Sequence, residues 1–204
     1  DAFCSGGDLG GLAPGEPTPY DRKAFLTDHV HRVIYALEEL DKPVIAAVNG
    51  AAVGAGMDMS LMCDMRFAAR SARFSEGYVR VGLVPGDGGA YFLPRLVGTA
   101  KALELLLTGD FVDAGEAHRV GIVNRVYEDE ELAKETRRFA ERLAAGPPLV
   151  TRMIKRTVYQ SARSDLRTSL DLVSSHMAIA QSTEDSKEAL SAFLEKREPE
   201  FRGR

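Results

Sequence analysis

Cysteine is scarce in this chain of 204 residues, where Cys4 and Cys63 are the whole complement. Two thiols are too few for a disulfide scaffold, and neither has neighbours at metal-ligand spacing. The chain therefore reads as a cytoplasmic protein with no metal site. Histidine is sparse as well: His29, His31, His118 and His176 are scattered, and an i,i+2 pair does not share a helix face. There is no basic surplus, and a net charge of −4 argues against nucleic acid as a partner. No apolar run reaches the length of a membrane span and no secretory leader is present, so no membrane partner is expected. The spacing of Gly50, Gly54 and Gly56 does not fit the dinucleotide pattern G-x-G-x-x-G, and no P-loop lysine comes after it. Ser5 and Ser75 have no nearby histidine and no nucleophile elbow, which sets a serine hydrolase aside. The chain also opens on Asp1, without methionine, directly on an apolar-then-glycine motif, and so reads as cut from the middle of a fold.

What is present is ordinary in bulk and unusual in one place. With 45% hydrophobic and 27% charged residues, the composition fits one soluble domain able to bury a sizeable core. The informative stretch runs from Lys42 to Asp64, KPVIAAVNGAAVGAGMDMSLMCD. Val44 to Val48 is a short β-branched run that predicts a buried strand, and Asn49-Gly50 ends it. Gly54 and Gly56 bracket a tight turn, and from Ala55 the residues favour a helix. The start of that helix leaves backbone N–H groups unpaired, which suits a phosphate, a carboxylate or an oxyanion on a carbonyl. Asp58 in its first turn would set a carboxylate beside the bound group. An acidic residue there is also an ordinary dipole partner, so the stretch alone leaves both readings open.

Along the rest of the chain, Ala2 to Cys4 reads as the tail of a strand. The glycine-rich Ser5-Gly6-Gly7-Asp8 comes next, and Asp8 could cap the segment after it. Residues 13–19 form a Pro/Gly-rich loop. Phe25, Val30, Val33, Ile34, Leu37 and Leu40 have helical spacing over Tyr20 to Leu40. Met65 to Ala69 and Ala72 to Phe74 look like strands, and the sequence from Val79 reads as a strand end leading into the loop Pro85-Gly86-Asp87-Gly88-Gly89. Glu76 shares strand parity with Tyr78 and could face the same side. Helices are expected over Ala100–Leu107 and Asp113–Val120, then a strand over Ile122–Val126. From Glu128 onward the pattern is helical throughout, which divides the fold into a core, 1–127, and a C-terminal helical region, 128–204.

Three separated motifs, FCSGGDL, the Lys42–Ala69 stretch and VGLVPGDGGAYFLPRLVG, resemble in order and spacing the crotonase superfamily of enoyl-CoA hydratases and isomerases. The likeness runs from Asp1 to Arg204. It implies an α/β fold, a spiral of ββα units with a C-terminal helical region, here without the N-terminal strands that usually precede FCSGG. It also implies assembly as a homotrimer or a dimer of trimers, and an acyl-CoA thioester as substrate. Coenzyme A is then part of the substrate, and no separate cofactor is expected. By motif match the amides of Gly7 and Ala55 would form an oxyanion hole on the thioester oxygen, a type of donor worth roughly 3–4 kcal/mol.

The same match places the first of the family's two water-activating glutamates on Asp58 and the second on Tyr78. A phenol, with its pKa near about 10, can donate or orient but replaces a carboxylate poorly. Asp87 lies near where some members hold another acid, which gives a catalytic set of Asp58, Tyr78 and Asp87. Cys4, Ser5, Asp8 and Gly54 would line the substrate site. Phe193 and Lys196 would touch coenzyme A, though helix packing and a solvated cation account for them equally. The implied activity is enoyl-CoA hydration or double-bond isomerisation. Alternatives are another crotonase-type acyl-CoA chemistry, such as decarboxylation or thioester hydrolysis, or a non-catalytic acyl-CoA binder.

Overall fold

A computed structural model of the chain describes residues 2–8 and 17–204. It divides into two units, Asp1–Leu40 with Val44–Thr136, and Asp41–Pro43 with Arg137–Arg204. The Pro/Gly-rich loop expected over 13–19, and whatever Asp8 would cap, lie largely outside the described residues.

The first unit is built on two sheets that share out successive strands. Strand β1 (Ala2–Cys4), β3 (Ala51–Val53), β5 (Arg73–Ser75) and β6 (Val112–Asp113) form one sheet, in the order β1-β3-β5-β6. Strand β2 (Ile45–Val48), β4 (Met65–Ala69) and β7 (Arg125–Tyr127) form the other, in the order β2-β4-β7. All pairings are parallel except β5 with β6. The bend at Asn49-Gly50 therefore does more than end a strand. It sends the chain from one sheet into the other, and β3 was not foreseen from the sequence. The same alternation repeats with β4 and β5.

Helices separate the strands: α1 (Pro19–Phe25) and α2 (His31–Glu39), joined by a π-helical turn over Leu26–Val30, come after β1, then α3 (Ala55–Leu61) after β3, α4 (Gly89–Val97) and α5 (Thr99–Thr108) after β5, and α6 (Ala114–Arg119) after β6. Thr18 and Asp21 close a capping box on α1, and Asp113 caps α6 through the Glu116 amide. Val48, Ala52, Phe67, Ala68, Phe74, Leu93 and Ile122 are buried as the core of the sheets. In the second unit α8 (Pro148–Ser161), α9 (Leu166–Ser182) and α10 (Glu184–Glu195) run in succession after α7 (Leu132–Ala144). Asp165 and Thr183 cap α9 and α10.

Two sequence expectations fail for identifiable reasons. The segment from Gly77 to Val81 is a 3-10 turn, not a strand end. Its amide bonds close locally, Gly82 N donating to Val79 O and Leu83 N to Tyr78 O, and Val79 and Val81 are exposed rather than paired in a sheet. Ile122 and Val123 are buried yet not in a strand, because both amides donate to the Ala117 carbonyl at the end of α6. The strand starts only at Arg125.

Arg66 is the polar residue on which α3 depends. It is 3% exposed, and its guanidinium donates to the carbonyls of Cys63 (2.6 Å), Ile122 (2.7 Å), Ser60 (3.2 Å) and Leu61 (3.4 Å). The cation thus meets the carbonyls at the C-terminal end of α3, where the dipole is negative. Arg66→Leu leaves those carbonyls without their donor in a dry place. A loss of about 3 kcal/mol is expected in urea unfolding.

Candidate active site

Helix α3 starts at a backbone corner that only glycine adopts readily. Gly54 has φ 53° and ψ −121°, its amide donates to Ser75 O (2.8 Å), and its carbonyl accepts from Asp58 N (2.9 Å). The next residue, Ala55, is the first of the helix. Gly56 then packs directly on the end of β1, since a Cβ there would lie 2.0 Å from the Cys4 carbonyl oxygen. The loop leaving β1 folds over the same corner: a Cβ on Gly6 (φ 101°) would lie 2.9 Å from Val53 O and 3.9 Å from Ala55 N. Gly7 is next, and among the described residues nothing lies within 4 Å of where its Cβ would be. Among the described residues, neither the Gly7 nor the Ala55 amide donates a hydrogen bond within the protein.

Asp58, one turn into α3, is completely buried. Three further groups converge on it from other elements. Tyr78, in the 3-10 turn, donates its hydroxyl to Asp58 Oδ2 at 2.8 Å, and that hydroxyl oxygen is 3.1 Å from Asp87 Oδ2. The Tyr78 ring lies against Gly54, where a Cβ would be 3.8 Å away. Gly89, the first residue of α4, leaves room for two carboxyl groups: a Cβ there would meet Asp58 Oδ1 at 2.3 Å and both Glu76 carboxyl oxygens at 2.9 Å.

The environment separates the protonation states of these groups. Burial pushes the Asp58 carboxyl up to about 6, opposed by the hydrogen bond from Tyr78, while the Asp87 charge pushes it further up. Burial pushes Glu76 up to about 9, helped by the charges of Asp58 and Asp87. Burial and the same two carboxylates also hold the Tyr78 phenol above its ordinary value. At neutral pH the cluster therefore contains an ionised Asp58, an un-ionised Glu76 and an un-ionised Tyr78. That is one base flanked by two proton donors.

Asp58, Tyr78, Asp87 and Gly54 lie together in the structure. Cys4 is half-buried beside Gly56, and Ser5 and Asp8 are exposed on the loop after β1. Phe193, 80% exposed on α10, and Lys196, whose φ of 55° ends that helix, belong to the second unit. Among the described residues no three His, Cys, Asp or Glu side chains are placed to hold a metal ion. Gly89 was not among the residues expected from the sequence, and Glu76 was expected there only through strand parity with Tyr78. Glu76 reaches the cluster as the single residue between β5 and the 3-10 turn, outside the strand. Gly89 was legible only as half of a glycine doublet in front of an apolar helix.

A model of the enoyl-CoA hydratase/isomerase family matches residues 1–204. The chain belongs to that family. It is 39% identical to a crotonyl-CoA hydratase of Syntrophomonas wolfei over 170 residues, 83% of this chain and 65% of that protein. It is 38% identical to a 1,2-epoxyphenylacetyl-CoA isomerase of Escherichia coli over 204 residues, 99% of this chain and 78% of that one. The chain thus spans just under two thirds of the first relative and somewhat more of the second. Among solved structures, an enoyl-CoA hydratase of Bacillus anthracis superposes with a TM-score of 0.92 at 34% identity, covering 99% of this chain and 77% of that chain. A Polaromonas enoyl-CoA hydratase gives 0.93 at 35% identity, covering 98% and 78%. The alternating strands of the first unit and the helical region after it are therefore the crotonase fold of this enoyl-CoA hydratase/isomerase family.

Proposed function

We propose that the protein acts on an acyl-CoA thioester as an enoyl-CoA hydratase or isomerase, moving a proton at a carbon near the thioester carbonyl. The observation that carries this reading is Asp58, a fully buried carboxylate one helical turn past the Ala55 amide, in contact with the Tyr78 hydroxyl. Taking a proton from such a carbon places enolate charge on the thioester oxygen. The Gly7 and Ala55 amides supply two donors for that charge, in a site where preorganised dipoles act more strongly than water does. Asp58 takes the proton, and Tyr78 orients it.

Isomerisation is the first reading, because one base can remove a proton at one carbon and return it at another. Asp58 is the carboxyl that the cluster keeps ionised, while Glu76 holds its proton. Hydration is the second, favoured by the hydratases among the relatives, with Asp87 helping to hold water. Incubation with a 3-enoyl-CoA should raise the absorbance of the conjugated enoyl thioester, and crotonyl-CoA should lose it if water adds. A spectrum unchanged over hours with both substrates would sink the proposal.

Tyr78→Phe removes the donor to Asp58 Oδ2 and leaves the ring against Gly54. A charge-assisted hydrogen bond of this kind supports a fall in kcat of about 10- to 100-fold. The acid limb of the pH profile should move upward, because Asp58 then ionises less readily, and steady-state kinetics across pH reads both effects. Self-association into a trimer or a dimer of trimers belongs to the same proposal. Leu166, Leu170 and Met177 on α9, and Leu190, Phe193 and Leu194 on α10, are exposed apolar residues suited to a second copy of the chain.

A further inference from the structure

Glu76 is a buried acid that the proposed reaction does not consume. It is 1% exposed, and among the described residues neither of its carboxyl oxygens, nor Asp58 Oδ1, has a hydrogen-bond partner at bonding geometry. The groups that face it are Asp58 from α3, Tyr78 from the 3-10 turn, Asp87 from the loop Pro85–Gly89 and the glycine that opens α4. The charges acting on it, Asp58 and Asp87, are both negative. Ionised, it would add a third carboxylate to a dry site beside two others. Un-ionised, it carries one proton that needs an acceptor, and Asp58 Oδ1 is the adjacent oxygen that lacks a donor.

We propose that Glu76 is a positioning residue that keeps its proton and donates it to Asp58 Oδ1, so that Glu76 and Tyr78 grip the two oxygens of the Asp58 carboxylate from opposite sides. Gly89 makes this possible, since any side chain at that position would occupy the space in which the two carboxyl groups meet. The hydrogen bond from Glu76 lowers Asp58 relative to burial alone, while Glu76 itself is pushed well above neutrality. The proton thus resides on the glutamate and the charge on the aspartate. Each Asp58 oxygen retains a second lone pair, so the base stays able to accept a proton from substrate. The inference rests on reading Asp58 as that base, but the arrangement of the pair can be measured without substrate.

The test uses Glu76→Leu, which removes the donor, and Glu76→Gln, which keeps an N–H donor of similar shape. In the substrate-free protein at neutral pH, the infrared carbonyl stretch of an un-ionised carboxylic acid should be present in the wild type and absent from Glu76→Gln. Carbon-13 NMR of labelled aspartate should show Asp58 titrating about one pH unit higher in Glu76→Leu, and close to its wild-type position in Glu76→Gln. If Glu76→Leu does not fold, the infrared band in the wild type and its loss in Glu76→Gln still decide the matter. A wild type without that band, or a folded Glu76→Leu in which Asp58 titrates as before, overturns the proposal. Turnover is scored separately: a protein that shows the band and the titration shift but converts no enoyl thioester keeps the Glu76 pairing and loses the assignment of the reaction.

Discussion

Asp58→Asn is expected to lower kcat by roughly 10³- to 10⁴-fold, toward the upper end of what a positioned general base contributes. The reason is the separation of protonation states in the cluster. Glu76 and Tyr78 hold their protons chiefly because they are buried, and that cause remains when the Asp58 charge is removed, so neither is a ready substitute base. Residual turnover would come from the amide donors and from substrate placement, which the substitution leaves alone. Asparagine keeps the volume of the side chain and an oxygen to accept from Tyr78. It also removes a charge from a fully buried position, so Tm should stay level or rise. Thermal unfolding beside the kinetics thus separates a chemical defect from a folding defect. The sign with pH comes from the raised carboxyl. Asp58 is pushed up to about 6, so the ionised form dominates above that pH and kcat/KM falls as pH drops through it. The acid limb should disappear in Asp58→Asn. A variant that keeps more than about a tenth of wild-type kcat, against the 10²-fold minimum expected of a general base, would show that the proton goes elsewhere.

The local grammar of the site was legible and its cross-connections were not. The run Val44–Val48, the glycines at 54 and 56 and the helix-favouring residues from Ala55 spelled out a strand, a corner and a helix, which the structure contains. Strand β3 was hidden because three small residues between glycines have no pattern of their own. They become a strand through their register with Ala2–Cys4 on one side and Arg73–Ser75 on the other. The long helix expected over Tyr20–Leu40 is interrupted by a π turn, a change of width that side-chain spacing does not record. Asp58, Tyr78 and Asp87 were found through motifs. Glu76 was placed by strand parity, the wrong geometry, and its burial depends on the missing side chain of a glycine thirteen residues later. That dependence is tertiary, so no periodicity within either segment carries it.

Gly56→Ala should be the most damaging of the small substitutions, because the added methyl meets backbone and not a side chain that can turn away. Its Cβ would lie 2.0 Å from the Cys4 carbonyl oxygen, 2.7 Å from the carbonyl carbon and 2.8 Å from the Cys4 Cβ. Alanine is the better helix former by about 1 kcal/mol, so on propensity alone the substitution would stabilise α3. The overlap is larger. Relieving it requires β1 or the start of α3 to move by more than an ångström or so, and forced overpacking of this kind costs about 1–3 kcal/mol or more. The displaced parts are the ones to which the proposed reaction assigns its groups: β1 leads into the Gly7 amide, and α3 carries the Ala55 amide and Asp58. A misplacement on the order of 1 Å at reacting groups costs about 10²-fold in rate, so activity should fall by at least that much in molecules that still fold. Gly7→Ala is the control for stability, since among the described residues nothing lies within 4 Å of the Cβ it would gain. It should unfold in urea close to the wild type, whereas Gly56→Ala unfolds at distinctly lower urea. If Gly56→Ala matches wild type in both urea midpoint and turnover, α3 does not depend on its seat against β1, and the two amides are not held together by that contact.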